Sequence, residues 1–81
     1  MVNGKTLVFL KSINDKWFAQ LEADTLTGEE LKKCKADFKK LGEMINQEGG
    51  FDMMSKFILT FPLWERRFID FCWHNVGEWR A

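Results

Sequence analysis

From residue 31 the apolar positions recur with a helical period. Leu31, Cys34, Phe38, Leu41 and Ile45 fall on one stripe at about 100° per residue, with lysines between them. The stripe has a marked start. Thr27 is a helix cap, Glu30 three residues later completes a capping box, and Leu26 and Leu31 are spaced for a hydrophobic staple. The pattern predicts a helix over 28–46 that ends near Asn46 to Gly49, where glycine accepts the left-handed backbone that stops helices. After the glycines of "NQEGGFD", Asp52 suits the cap of a short helix in which Met54, Phe57, Ile58 and Phe61 cluster, and Pro62 suits the first turn of another. The carboxy-terminal third therefore reads as two helices with a bend, although "KFILTF" also fits a strand.

The first 26 residues carry two patterns. "KTLVFLKSI" is rich in strand formers, "ND" suits a turn, and Trp17, Ala19, Leu21 and Ala23 alternate along "WFAQLEAD", which together describe a β-hairpin. Leu10, Ile13, Trp17, Phe18 and Leu21 also gather on one arc of a helical wheel. The four weak helix formers of "SIND" favour the hairpin. The expected fold is α+β, an N-terminal β-hairpin followed by three helices in one compact domain over 1–81, with an all-α small helical bundle as the competing arrangement.

Composition adds one constraint. A chain of 81 residues buries only about 60 to 65% of its unfolded surface. Eight Phe and four Trp, at about 150 to 250 Å² per ring, are a large load for such a core. Some rings are expected at the surface or against a partner, a second copy of the chain included.

Twelve basic and twelve acidic side chains cancel, so no global field draws the chain to nucleic acid or anionic lipid. Locally the charges separate. Lys32, Lys33, Lys35, Lys39 and Lys40 face only Asp37 over residues 32 to 40, leaving +4, while Asp15, Glu22, Asp24, Glu29 and Glu30 face only Lys16 over 15 to 30, leaving −4. Glu29 and Glu30 also complement the positive end of the helix dipole. No apolar run reaches the length of a membrane span, and the amino terminus lacks the basic, apolar and small-residue sequence of a leader. Two cysteines are too few for a disulfide-stapled scaffold. The expectation is a cytoplasmic protein with reduced thiols and no membrane partner.

Chemistry concentrates in "FIDFCWHN", residues 68 to 75. On a helix Asp70 and His74 share a face and Cys72 points away, so a metal site of Asp70, Cys72 and His74, or a Cys72–His74 nucleophile pair, fails on geometry. Cys34 and Cys72 read as small buried hydrophobes. "NGKT" lacks the spacing of a phosphate loop. No cofactor and no enzymatic constellation is expected.

On the same wheel Trp64, Phe68, Phe71 and Cys72 form the inward stripe, flanked by Ile69 and Val76, and Trp73 falls outward beside Arg66. An exposed Trp next to Arg is the composition of an interface anchor. The expected function is a small protein-binding module, an inhibitor or accessory factor of the kind that phages and other mobile elements encode. Its partner is another protein, and its contacts are Trp73, Arg66 and His74 together with the acidic Asp15, Glu22 and Asp24. The alternative is nucleic-acid binding through the lysine face of Lys32, Lys35 and Lys39.

Overall fold

A computed structural model describes residues 4–80 as three helices: α1 (Gly4–Ala23), α2 (Gly28–Ile58) and α3 (Leu63–Cys72). There is no strand among the described residues. The expected α+β arrangement is therefore corrected: the segment read as an N-terminal β-hairpin is a helix, and the all-helical competitor is the fold. "KFILTF" likewise belongs to the end of α2 and the turn after it.

The reason lies in what α1 buries. Thr6, Ile13 and Trp17 are buried and Leu10 and Leu21 pack partly against the core, a helical spacing of three and four, whereas Ala19 and Ala23, which the alternating reading placed with Trp17, are exposed. The weak propensities of "SIND" cost some tenths of a kcal/mol per residue, and burying Ile13 and Trp17 returns several times that, at about 25 cal/mol per Å². Two cross-links hold α1 to α2. The Trp17 indole N–H donates to Asp37 Oδ2 at 2.8 Å, and the Thr6 hydroxyl bonds Glu48. Asp24 then stops the helix with a left-handed φ of 56°, a conformation that Asp tolerates better than most residues.

α2 begins as its cap signature predicts. Glu30 N–H donates to the Thr27 hydroxyl at 3.2 Å and Thr27 N–H to the Glu30 carboxylate at 3.0 Å; the backbone N–H of Thr27, and then its hydroxyl, hold the Glu30 carboxyl below its ordinary range. Cys34, Phe38, Leu41 and Ile45 are buried as the stripe requires. The helix does not stop at the glycines; its backbone breaks at Gly50 (φ 67°, ψ −160°) and turns on to Ile58, carrying Met54 into the core. α1 and α3 both pack on α2; their backbones stay apart, and they meet through side chains, as Phe18 and Trp64 do.

The core is closed by the residues that follow α3. Trp73 is fully buried, its indole N–H donating to the Phe38 carbonyl at 2.8 Å. A helical carbonyl has a second lone pair to offer such a donor. Trp79 stacks edge-on against Trp73 at 5.2 Å and donates to Asp70 Oδ1 at 2.8 Å. The expectation of an outward Trp73 is thus corrected. Trp73 caps α3 with helical backbone and its N–H still bonded to the Ile69 carbonyl, so it keeps the helical direction and falls with Glu65, Ile69 and Cys72 on the buried face, about a quarter turn from the face expected.

The ring of Trp73 lies over Gly42 so closely that a Cβ there would stand 2.6 Å from Trp73 Cδ1. Gly42→Ala is therefore expected to destabilise the chain by about 1–3 kcal/mol through overpacking, despite alanine's better helix propensity. Urea unfolding followed by tryptophan fluorescence measures it. A variant as stable as the parent would show that the indole is free to move away.

Candidate protein-binding face and the Glu65 crevice

α3 is rotated from the expected face: Cys72 and the flanking Ile69 and Val76 are buried as expected, but Trp64 and Phe71 are not. Its buried residues are Glu65, Ile69 and Cys72, whereas Leu63, Trp64 and Phe71 are 77%, 43% and 68% exposed. Only Phe68, of the three rings assigned to the inward stripe, packs against the core, edge-on to Phe38 at 5.7 Å. Trp73 and Trp79 already fill the end of the core, so α3 is turned with its smaller side chains inward. Leu63, Arg67 and Phe71 follow one another at i, i+4 and i+8 on the outward side, and Trp64 lies beside them. Arg67 forms no hydrogen bond or ion pair with the described residues. Phe18 of α1 extends the surface by packing against Trp64 at 5.5 Å between ring centroids.

The residues singled out from sequence are scattered. Trp73 is core. Arg66 is tied down structurally, donating to the Phe61 carbonyl at 2.8 Å and the Leu59 carbonyl at 2.9 Å, and so clamps the α2–α3 turn. His74 is exposed just past α3. Asp15, Glu22 and Asp24 are exposed along the second half of α1 and its end; Asp15 pairs with Lys11 at 3.1 Å, and Asp24 serves as the helix stop. Lys32, Lys35 and Lys39 are exposed on α2. These groups do not form one surface with Trp73, because Trp73 presents none.

The two thiols are free, buried and pushed up to about 12 by that burial, which leaves them protonated and poor nucleophiles. Among the described residues no three His, Cys, Asp or Glu side chains are grouped to hold a metal ion, and no helix is long and apolar enough to cross a membrane.

Because the backbones of α1 and α3 stay apart, a crevice of about 380 Å³ remains between α1 and the start of α3. Leu10, Asn14 and Phe18 line one side, and Phe61, Pro62 and Glu65 the other, with Lys11 and Asp15 also on the α1 side. Glu65 is fully buried, and neither of its carboxylate oxygens has a hydrogen-bond partner among the described residues; the buried Asn14 Oδ1 has none among them either. No sequence motif marks Glu65. Its spacing with Ile69 and Cys72 on one face of α3 was the one available signal.

Burial pushes the Glu65 carboxyl up to about 7. Between the ordinary carboxyl value of 4.5 and that raised value, the folded chain keeps a proton that the unfolded chain releases. Stability therefore falls as pH rises through this window and levels off above it. At 1.36 kcal/mol per pH unit the loss is roughly 3 kcal/mol. The charged and titratable groups around Glu65 are the Lys11–Asp15 pair of α1 and Cys34 of α2. Glu65→Gln is expected to remove the fall, making the variant more stable than the parent at about pH 8 and nearly equal to it below about pH 4.5. Parallel thermal melts across the window test this, and parallel stability curves for the two chains would refute it.

No family model, curated protein or solved structure matches this chain.

Proposed function

We propose that this chain is a small non-enzymatic protein-binding module that docks through the outward face of α3 into an apolar cleft edged with carboxylates. The observation that carries this reading is the rotation of α3: a helix that buries a glutamate while leaving Leu63, Trp64 and Phe71 in solvent. Leaving that apolar area in water is unfavourable by about 25 cal/mol per Å², a cost that a partner's cleft removes. Anchors at i, i+4 and i+8 are the spacing by which a helix lies in a groove. Trp and Arg are the residue types that most often dominate binding energy. Charge selects the partner: Arg67 stands unpaired in the middle of the row, so the complementary cleft supplies a carboxylate opposite it. The protonated, buried thiols support the non-enzymatic part of the reading.

The test is affinity capture from the source cells with the parent chain, Phe71→Ala, Arg67→Glu and the triple reversal of Lys32, Lys35 and Lys39 to Glu. A partner held by the parent and by the lysine variant is expected to bind the Phe71 and Arg67 variants at least tenfold more weakly, as loss of a hot-spot contact implies. Equal retention by all four chains would overturn the reading. Capture lost only with the lysine reversal and stripped by nuclease would make the chain a nucleic-acid binder. A concentration-dependent dimer in sedimentation, abolished by Phe71→Ala, would make the occupant a second copy.

A further inference from the structure

We propose that the crevice between α1 and the start of α3 is a binding site for an organic cation, a guanidinium or ammonium group carried on a short apolar stem. This does not depend on the docking of α3. The inner end of the crevice offers acceptors and no matching donors: both carboxylate oxygens of Glu65 and the amide oxygen of Asn14 are buried without hydrogen-bond partners. Once Glu65 is ionised, three buried acceptors without donors are unfavourable as they stand, and the free energy is recovered by a ligand that brings several N–H groups together. A guanidinium does so in a plane, and its fork matches a carboxylate in two parallel bonds.

The walls specify the rest of the ligand. Leu10, Phe18, Phe61 and Pro62 are apolar and suit an alkyl or aryl stem, and the rings of Phe18 and Phe61 also attract a cation placed over them. At the mouth the exposed Lys11–Asp15 pair, 3.1 Å apart, is the kind of surface contact that costs about 0–1 kcal/mol to break, so Asp15 is available to add a second negative charge. Other ligand classes fit worse. An anion would meet Glu65 directly. A metal ion would lack ligands, since no group of three His, Cys, Asp or Glu forms among the described residues. A neutral apolar molecule would leave the acceptors unpaired.

The probe is n-butylguanidinium chloride, titrated into the intact chain and followed by amide nitrogen–proton correlation spectra in buffer alkaline to the Glu65 titration. n-Butylurea serves as the neutral isostere and sodium chloride as the ionic-strength control. The expected result is a saturable shift of the Asn14, Phe18, Phe61 and Glu65 amides, with half-saturation on the order of 1 mM for so small a ligand. The urea and the salt should produce none. Glu65→Gln, whose own spectrum reports whether it is folded, should weaken the response at least tenfold. If that variant is not folded, Asn14→Leu takes its place and should weaken binding at least threefold. The absence of a saturable shift at tens of millimolar, an equal response to n-butylurea, or undiminished binding by the folded variant would overturn the proposal.

Discussion

The contact between Trp73 and Gly42 governs how the other parts of the molecule are placed. A large indole is seated directly on the backbone of α2, which is open only at a residue without a side chain, and its N–H is bonded to the Phe38 carbonyl one turn earlier. Because the ring is rigid and its one donor has a single buried partner, both its depth and its orientation are specified. Trp79 is then positioned by stacking on Trp73 and by its bond to Asp70, and Phe51 packs against Trp79 at 5.3 Å. A chain of aromatic contacts thus ties the last described residues to the middle of α2 and to the break within it.

With two tryptophans filling one end of the core, α3 has little room for a third large ring beneath it. Its inner face is made of Ile69, Cys72 and Glu65 with Phe68 at its edge, and its other large apolar residues are outside. The same rotation accounts for the exposed row of Leu63, Arg67 and Phe71 and for the buried carboxylate at the edge of the crevice. The apparent surplus of aromatic residues is resolved along these lines. Some rings are spent on closing the core from the carboxy-terminal side, and Trp64, Phe51 and Phe71 remain at the surface.

What could be read from the sequence was what short-range geometry decides. The capping box at Thr27 and Glu30, the buried stripe of α2 and the disturbance at Gly49 and Gly50 depend on residues within a turn or two of one another. The helical state of α1 was legible only as the competing arc of Leu10, Ile13, Trp17, Phe18 and Leu21, because local propensity around Ser12 to Asp15 argued against it and the deciding contacts, Trp17 with Asp37 and Thr6 with Glu48, join residues far apart in sequence. The place of Trp73 was missed for a related reason. Periodicity puts Trp73 on one stripe with Glu65, Ile69 and Cys72, but which stripe of α3 faces inward is decided by the contacts of Trp73 with Phe38 and Gly42, far away in sequence. The buried position of Glu65 followed from that error, since the true inner face of α3 was visible only once the wheel was rotated to suit Trp73.

The break at Gly50 has a consequence for size. An uninterrupted helix of 31 residues would extend about 46 Å at 1.5 Å per residue, well beyond the longest dimension of this molecule, 33 Å. A straight α2 would carry Met54, Phe57 and Ile58 past the end of α1 into water and leave the lower half of the rod without cover. One residue in a backbone conformation reserved for glycine converts a rod too long for its neighbours into two arms short enough to share a single core. The reach of this fold is thus limited by a torsion angle, and lengthening either arm would enlarge the protein only by exposing what Gly50 brings inside.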